Sequence, residues 1–416
     1  MSDTQIEITP QELKTLPQDS YQLIDTRDDA SIAYGMANGA IHIPQEDVVD
    51  QLTSKPELLK GRTAILYCAR GILSMDLASE LNRRGIPSRS LTGGYNGWLL
   101  AHLAGDTPDE SEEKKEEARL ARQKRIEDSI RRKFHVPLFS RFAKAVRDYE
   151  LIQENDKIAV CISGGKDSML MAKLFQELKR HNKFPFEVVY LVMDPGYNAA
   201  NRKIIEENAR MLGIPATIFE TQIFDAVYNV DKSPCYLCAR MRRGYLYRRA
   251  MDLGCNKIAL GHHYDDVIET NLMGMLYGAQ IQTMMPKLHS IHFDGMEVIR
   301  PMYLIREAAI IHWRDYNDLH FIQCACRFTE NCTTCDNGGG GSKRQEVKVL
   351  LRRLKRDNPN IENSIFRSIH GVALDTMPGY KTEGQEHSFL ERFDRVEAEL
   401  QKELKEKQKQ EADKTE

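Results

Sequence analysis

The chain has 416 residues, of which 41% are hydrophobic and 29% charged, and its formal net charge is −3 at pH 7. This length predicts two or three domains, each with its own core. We expect no membrane association, because no apolar run is long enough to span a bilayer and the polar N-terminus lacks a signal-peptide core. The nine cysteines favour thiol or metal chemistry in the cytoplasm over a disulfide framework.

Residues 1–105 form the first predicted unit. Buried strands are predicted at Tyr21–Asp25 and Thr63–Tyr67, and helices at Met75–Arg84 and Gly97–Leu103. Cys68 directly follows the second strand, in a loop that leads into a helix. The N–H groups of such a loop help to stabilise a thiolate, so Cys68 is a candidate catalytic residue.

This unit resembles a rhodanese (sulfurtransferase) domain. The matching segments are Leu23–Arg27, Gly39–Pro44, Cys68–Ser74 and Gly93–Trp98. The resemblance implies that Cys68 carries a persulfide and hands on its outer sulfur. Leu73 stands where such loops often have arginine, and Met36 where histidine is common. The alternative is an inert, buried structural cysteine.

Residues 106–133 change composition abruptly. They interleave Glu with Lys and Arg and carry little apolar surface. We predict a charged, solvated helical linker.

The second domain is predicted over residues 134–385. Its first strand, Lys157–Ile162, runs into the segment Ser163–Ser168 and then into a helix. Gly164 and Gly165 let the backbone approach a ligand closely, and the free N–H groups of a helix start bind phosphate. The other candidate ligand-binding side chains of this segment are Ser163, Lys166, Asp167 and Ser168. The spacing differs from the kinase and GTPase pattern, so γ-phosphate transfer is not predicted.

The segment Ser163–Ser168 resembles the pyrophosphate-binding loop of PP-loop ATPases. These enzymes cleave ATP to AMP and pyrophosphate and so adenylate a substrate. The resemblance therefore implies that Lys166 and Asp167 act in catalysis and that the loop binds ATP.

Strands and helices alternate after this loop, which predicts a parallel, doubly wound sheet with ligands at the carboxyl ends of its strands. The strands are predicted at Phe186–Asp194, Pro215–Glu220 and Lys257–Gly261, and the helices at Asn201–Leu212, Arg240–Leu253 and Val267–Leu276. Asp194, His262, Asp265 and Asp266 lie at two of these strand ends. We expect one nucleotide to contact them together with the phosphate loop.

Cys235 and Cys238 form a Cys-x-x-Cys motif, which fits half a zinc site, a redox pair or two ligands of an iron–sulfur cluster. A basic helix follows at once and includes Arg240, Arg242 and Arg243. Cysteines beside a basic helix and an ATP loop indicate sulfur chemistry on a nucleic acid.

The segment from Pro234 to Gly278, taken with the phosphate loop, resembles the tRNA 2-thiocytidine synthetase family. The resemblance covers residues 134–380 and implies an α/β fold, with the rhodanese-like α/β domain followed by a doubly wound, adenine nucleotide α-hydrolase-like PP-loop domain. It implies ATP, Mg²⁺ and a [4Fe–4S] cluster as cofactors. The substrate would be tRNA, with sulfur replacing the C2 oxygen of an anticodon-loop cytidine. A cysteine desulfurase is the expected sulfur donor, and a homodimer is left open.

The resemblance also implies that Cys235 and Cys238 hold the cluster with a third cysteine. Cys326 is the first candidate for that ligand and Cys324 the next, while Cys332 and Cys335 are extra to the family pattern. A structural zinc pair is the alternative for the Cys-x-x-Cys motif. The remaining cysteines of this domain, Cys161 and Cys255, are predicted to lie in its core.

A basic amphipathic helix is predicted after the glycine run that ends at Gly341. Its outward side carries Arg344, Lys348, Arg352 and Arg353. This side is either a solvated face or, with the arginines after Cys238, a groove for RNA phosphates. The tail over 386–416 is predicted to be a charged helix or disordered, and no chemistry is assigned to it.

The sequence leaves two other functions open. One is a PP-loop thiolase or desulfurase that acts on another base or on a small molecule. The other is a zinc-bound RNA-binding protein without enzymatic activity.

Overall fold

The computed structural model describes residues 6–32, 35–103, 112–181, 184–227, 234–322 and 343–412. The chain divides into two compact units, residues 1–348 and 349–416. The predicted boundary between residues 385 and 386 therefore falls inside the second unit. Among the described helices, we find no segment that combines the length and the apolar character needed to cross a bilayer.

The first sheet has five parallel strands in the order β1-β5-β4-β2-β3. The strands are β1 (Glu7–Ile8), β2 (Tyr21–Asp25), β3 (Ile41–His42), β4 (Thr63–Tyr67) and β5 (Ser88–Leu91). The helices are α1 (Pro10–Thr15), α2 (Asp29–Ile32), α3 (Gln45–Ser54), α4 (Ile72–Arg83) and α5 (Gly94–Leu103). The strands predicted at Tyr21–Asp25 and Thr63–Tyr67 are confirmed. Ala64 to Tyr67 are fully buried because β4 is a central strand, as expected for a near-continuous apolar run.

The second sheet has six strands in the order β10-β11-β9-β6-β7-β8, and only β10 runs antiparallel to its neighbour. The strands are β6 (Lys157–Ile162), β7 (Glu187–Asp194), β8 (Ala216–Glu220), β9 (Lys257–Ala259), β10 (Lys287–His289) and β11 (Glu297–Ile299). The helices around it are α7 (Arg141–Asp148), α8 (Lys166–Arg180), α9 (Ala199–Met211), α10 (Ile223–Val227), α11 (Pro234–Asp252), α12 (Tyr264–Gly278) and α13 (Glu307–Tyr316). The predicted alternation of strands and helices is confirmed, and the sheet places the ends of β6, β7 and β9 side by side.

Helix α6 (Glu112–Arg131) precedes the second sheet, and it corrects the prediction of a solvated linker. Its charged first half is exposed, but Ile126 and Ile130 are each only 1% exposed and belong to the main core. Lys173 of α8 donates a hydrogen bond to Glu127 over 2.9 Å, and Arg131 donates to Glu177 over 2.9 Å. Two isoleucines spaced four residues apart are enough to dock a helix that is otherwise charged.

The first sheet and the second sheet share one hydrophobic core. This core joins Tyr95 and Leu99 of α5 to Ile205 of α9, and Asn96 donates a hydrogen bond to Asn201 over 3.2 Å. The N-terminal sheet is therefore packed on the second one and is not held by a tether alone.

The second unit begins within helix α14 (Lys343–Asp357). It continues with α15 (Ile361–His370), a hairpin of β12 (Gly379–Thr382) and β13 (Gln385–Ser388), and the long helix α16 (Phe389–Ala412). Of the two states predicted for the tail, a charged helix is the one observed.

Candidate functional site

The phosphate loop, Ser163–Ser168, connects the buried strand β6 to helix α8 as predicted. Gly164 has φ +88°, and a Cβ atom there would lie 2.6 Å from Cγ1 of Ile205. Only glycine fits this position, because other residues rarely adopt such a conformation and have no space for a side chain. Gly165 is the N-cap and has no side chain to cover the first N–H groups of α8. The helix start is therefore open to an anion.

The two predicted serines hold the loop in shape. Ser168 Oγ accepts a hydrogen bond from the Ser163 N–H over 3.1 Å and donates to the Gly165 carbonyl over 3.0 Å. The hydroxyl oxygens of Ser163 and Ser168 lie 3.2 Å apart. Both hydroxyls therefore lie beside the start of α8.

Lys166 supplies the positive charge of the loop from an almost completely buried side chain, 1% exposed. Its Nζ lies 3.1 Å from Asp167 Oδ2 and 3.1 Å from Glu307 Oε1. Burial by itself raises the pKa of Glu307, but Lys166, His263 and Lys348 outweigh this effect and lower the pKa to about 2. Glu307 therefore stays ionised and fixes the ammonium group at the loop.

Asp194 and the loop after β9 border the phosphate loop, because β7 and β9 both pair with β6. Asp194 accepts hydrogen bonds from the N–H groups of Gly196 and Tyr197, over 2.8 and 2.6 Å, and shapes the turn after β7. On the other side, a Cβ on Gly261 would lie 3.3 Å from the backbone nitrogen of Ser168. The three predicted strand ends therefore meet at one edge of the sheet.

The acidic residues at the start of helix α12 have different structural roles. His263 is the N-cap of α12 and forms a capping box with Asp266. Asp265 accepts from Arg306 over 3.0 Å and from the Glu307 N–H over 2.6 Å, so it holds the start of α13 beside the loop. Burial lowers the pKa of His262 to about 4, so this imidazole is neutral at pH 7.

An alternating network of charges surrounds this site, and two of its carboxylates, Glu307 and Glu269, were missed in the sequence. Arg344 donates to Asp266 over 2.8 Å, and Lys348 donates to Glu307 over 3.3 Å. Glu269 lies 3.6 Å from Lys348 and is 2% exposed. Burial raises the pKa of Glu269 to about 7, against the opposing effect of the two cations.

Two predictions are corrected by this network. Arg344 and Lys348 were expected on an outward basic face, but they point at carboxylates inside the first unit. Glu307 and Glu269 were not identified; Glu269 lies one helical turn beyond Asp265 and Asp266, and that spacing was a usable signal. Glu307 lies far from the loop in sequence, so no local pattern marked it.

Three buried polar atoms beside the phosphate loop have no hydrogen-bond partner among the described residues. They are Asp167 Oδ1, His262 Nδ1 and Glu269 Oε2. Because buried polar atoms are almost always paired in folded proteins, these atoms are suited to a ligand.

Cys68 lies at the end of β4, buried at 7% exposure, in the loop before α4. Its Sγ accepts from the Gly71 N–H over 3.1 Å and from Ser74 Oγ over 3.6 Å. The Tyr95 N–H donates to the Cys68 carbonyl over 2.9 Å, which fixes the loop against α5. This cradle of donors suits a sulfur atom with negative charge.

The structure describes only some of the other cysteines. Cys238 is buried near the start of α11 and packs among Met193, Phe224 and Val227. The side chain of Cys235 and the whole of Cys324, Cys326, Cys332 and Cys335 lie outside the described residues. Cys255 lies in a core cluster, as predicted, and the half-buried Cys161 packs against that cluster; burial raises the pKa of Cys161 to about 12.

The predicted RNA-binding arginines lie on two helices in different units. On α11, Arg240 and Arg243 are exposed and Arg242 is half-buried. Arg352 and Arg353 are exposed on α14, in the second unit.

Two domain families match the chain. Residues 9–101 match the rhodanese-like domain, and residues 135–327 match the PP-loop domain. The tRNA-cytidine(32) 2-sulfurtransferase of Citrifermentans bemidjiense is 35% identical over 237 residues, which are 56% of this chain and 89% of that protein. The protein of the same name from Methylobacillus flagellatus is 36% identical over 242 residues, 56% of this chain and 75% of that protein.

Among solved structures, the U34-tRNA thiolase NcsA from Methanococcus maripaludis, with its [4Fe–4S] cluster, is 21% identical. The match covers 56% of this chain and 77% of that one, with a TM-score of 0.45.

Proposed function

Because the chain belongs to the tRNA-cytidine(32) 2-sulfurtransferase family, we propose that it is a transferase that uses ATP to replace the C2 oxygen of a tRNA cytidine with sulfur. The observation that carries the chemistry is the buried Lys166 at the start of α8. It directly follows a turn whose conformation at position 164 only glycine fits. Such a helix start, with a fixed ammonium group beside it, is suited to pyrophosphate.

The chain's own residues prepare the phosphate site. Glu307 and Asp167 hold Lys166 Nζ from two sides, so the charge is already oriented when a nucleotide binds. The N–H groups of α8 and the hydroxyls of Ser163 and Ser168 then contact phosphate oxygens. A preorganised site of this kind stabilises the charge that develops on leaving pyrophosphate.

A magnesium ion fits beside Asp167, because the buried Oδ1 atom of this carboxylate has no hydrogen-bond partner among the described residues. Carboxylate oxygen is the ligand type that Mg²⁺ prefers in nucleotide sites. When bound, the ion would neutralise charge on the phosphate oxygens.

The order of bond changes follows from the substrate. The C2 oxygen of cytosine is a poor leaving group, so it first attacks the α-phosphorus of ATP and pyrophosphate departs. A sulfur nucleophile then adds to C2, and the C–O bond breaks with release of AMP. The base must leave its stack to enter the site, and a single-stranded anticodon loop permits this at low cost.

The cluster is proposed on Cys235 and Cys238, with Cys326 or Cys324 as the third ligand. Cys235 and Cys238 both lie in the first turns of α11, where the N–H dipoles favour thiolates. Iron–sulfur clusters are bound by cysteine thiolates, so these cysteines are suitable ligands for the cluster. When bound, the cluster would supply the sulfur nucleophile at an iron that no cysteine occupies.

Cys68 is proposed as the persulfide carrier that brings sulfur to the domain, loaded by a donor such as a cysteine desulfurase. The Gly71 N–H and the Ser74 hydroxyl support it, since both donate to Sγ. The packing of α5 on α9 supports delivery from a fixed position and not from the end of a loose linker.

The tRNA backbone is proposed to contact the exposed arginines that follow the Cys-x-x-Cys motif, Arg240 and Arg243. Arg242 on the same helix, and Arg352 and Arg353 on α14, are proposed as further phosphate contacts. Such contacts position the RNA without reading its bases. We propose that the reaction takes place in the cytoplasm, as expected for an enzyme that acts on tRNA.

Nucleoside mass spectrometry tests the function. A strain that lacks the chain should lose 2-thiocytidine from its tRNA, and the wild-type gene should restore it. Lys166→Ala should lower the rate by about 10²–10³-fold, as does removal of one preorganised charge-stabilising group in other enzymes. Lys179→Ala is the matched control, because Lys179 is exposed in the last turn of the same helix.

Iron content and thermal stability of both variants should be measured alongside. Loss of thiolation with normal iron content assigns Lys166 to the nucleotide step. Unchanged 2-thiocytidine in the deletion strain, or loss of a different thiolated base, would contradict the proposal.

A further inference from the structure

A second group of side chains that could bind a metal ion lies where the two sheets pack together. It consists of His102, in the last turn of α5, and of Asp318 and His320, in the segment that follows α13. None of the three has a task in the thiolation reaction. The fold alone brings His102 to the other two, since more than two hundred residues separate them in sequence.

The spacing of the ligand atoms suits a single metal ion. His320 Nε2 lies 3.1 Å from Asp318 Oδ1, His102 Nε2 lies 3.6 Å from Asp318 Oδ2, and one ligand atom from each residue lies within 4.8 Å of the others. A tetrahedral zinc site with bonds of about 2.0–2.1 Å places neighbouring ligand atoms about 3.3 Å apart. The separations in this group extend to at most 4.8 Å, so the side chains would move inward as the ion binds.

The aromatic surroundings hold both imidazoles in place. Trp98 stacks on His102 with 5.0 Å between ring centroids and meets His320 edge-on at 4.9 Å. The two imidazole rings themselves are 4.9 Å apart at 81°. Rings packed against an indole and against each other lose little freedom when they bind a metal ion.

Hydrogen bonds to their backbone carbonyls hold His320 and Asp318 in position. The carbonyl of His320 accepts a hydrogen bond from Asn208 over 3.1 Å, and the carbonyl of Asp318 accepts from Arg122 over 2.7 Å. Asp318 itself has φ +50°, a conformation that places its carboxylate between the two histidines' ligand atoms at modest strain.

Within the group, a hydrogen bond joins His320 Nε2 and Asp318 Oδ1 over 3.1 Å, and this bond does not account for the position of His102. The 3.6 Å between His102 and Asp318 exceeds the length of a hydrogen bond. In addition, His320 Nδ1 is buried without a hydrogen-bond partner among the described residues.

We propose that His102, Asp318 and His320 bind one divalent transition-metal ion of the zinc class, which fastens the rhodanese-like domain to the PP-loop domain. Two imidazole nitrogens and one carboxylate favour such an ion over Mg²⁺ and Ca²⁺, which prefer oxygen ligands. Asp318 is 52% exposed and His102 26%, so the ion enters from solvent and a water molecule takes the fourth position. The proposal stands apart from the thiolation reaction.

The test compares zinc binding in four full-length proteins: wild type, His102→Gln, Asp318→Asn and a control, His181→Gln. Asparagine tolerates the φ of residue 318, and both ligand positions are solvent-accessible, so these variants keep the fold. His181 contacts Glu177 at 3.1 Å and Phe139 with 5.9 Å between ring centroids, and its side chain is 60% exposed. Equilibrium dialysis against Zn²⁺ counts bound ions, and differences between variants remove the contribution of the cysteines.

Wild type and His181→Gln should bind one Zn²⁺ more per chain than His102→Gln and Asp318→Asn. The affinity of this site for Zn²⁺ should fall by more than about 100-fold in the two ligand variants. Loss of an outer-shell partner lowers metal affinity by up to about that factor, and loss of a direct ligand should cost more. The thermal shift that Zn²⁺ produces should shrink in the same two proteins. With Co²⁺, the difference spectrum should show bands of nitrogen and oxygen ligands and lack thiolate charge transfer.

Equal zinc stoichiometry in all four proteins would overturn the proposal, as would a thiolate signature in the cobalt difference spectrum. Melting in the absence of zinc provides the check on folding. A ligand variant that melts like wild type without zinc, yet loses the zinc-induced shift, identifies a metal site and not a structural contact.

Discussion

Gly164→Ala is the substitution that tests the phosphate loop most directly. An alanine with φ near +88° costs about 1–2 kcal/mol, because its Cβ approaches the following carbonyl. The new Cβ would also lie 2.6 Å from Ile205 Cγ1 and 3.1 Å from Ile322 Cδ1. Both isoleucines are buried, so overpacking adds about 1–3 kcal/mol. We expect a total loss of about 2–5 kcal/mol in the free energy of unfolding.

Gly254→Ala is the matched control for this substitution. Gly254 has φ +71°, but nothing lies within 4 Å of the position of its Cβ. Its substitution should therefore cost only the backbone strain of about 1–2 kcal/mol. Urea denaturation of both variants and of wild type measures the difference, which isolates the clash with Ile205.

Two further measurements make the test sharper. Thiolation should be lost in Gly164→Ala and retained in Gly254→Ala, since only the former displaces the phosphate loop. In a double-mutant cycle, Ile205→Ala should relieve part of the cost of Gly164→Ala and give a coupling of about 1–3 kcal/mol. Equal destabilisation by the two glycine substitutions, or an active Gly164→Ala variant, would refute the reasoning.

Three other outcomes are expected. Glu269→Gln should gain stability relative to wild type as the pH rises from 5 to 8, because burial raises the pKa of Glu269 from its ordinary 4.5 to about 7 in the folded protein, so wild type loses stability as the pH rises between these two values. The difference between the two urea-unfolding curves should reach about 3 kcal/mol, and a pH-independent difference would show that the carboxylate is not the cause. Cys68→Ser should slow thiolation when a persulfide donor is the only sulfur source and leave it intact with inorganic sulfide; wild-type rates with every source would make the N-terminal domain a docking module. Cys235→Ala and Cys238→Ala should each lose the cluster absorbance and the activity together, whereas Cys332→Ala should lose neither, and full iron retention in the first two would contradict their assignment as ligands.

Local sequence patterns predicted the elements that carry the chemistry. The apolar run at Lys157–Ile162 and the glycines after it predict a buried strand and a phosphate-binding turn; the structure confirms the strand and a turn that requires glycine at position 164, while phosphate binding stays a prediction. The position of Cys68 between a strand and a helix was predicted in the same way. Such patterns succeed because strand period, helix period and turn preference act over a few neighbouring residues.

The tertiary structure alone decided which distant charges complete the site. Lys166 meets Glu307 across 141 positions, and Arg344 meets Asp266 across 78. No periodicity encodes such pairs, and so Arg344 and Lys348 were expected to face outward. Their pairing with carboxylates becomes visible only when α12, α13 and α14 are packed around the loop.

For helix α6, which joins the domains, the sequence likewise predicted the element but not its packing. From composition, residues 106–133 indicated a charged helix, and a helix is present from Glu112 to Arg131. Whether Ile126 and Ile130 face solvent or a core depends on a partner surface that lies elsewhere in the chain. The sequence by itself therefore determined the local elements and their chemistry, since these depend on neighbouring residues. Only the tertiary structure decided the charge network, the docking of α6 and the meeting of His102 with His320, because each depends on contacts that the folded chain alone creates.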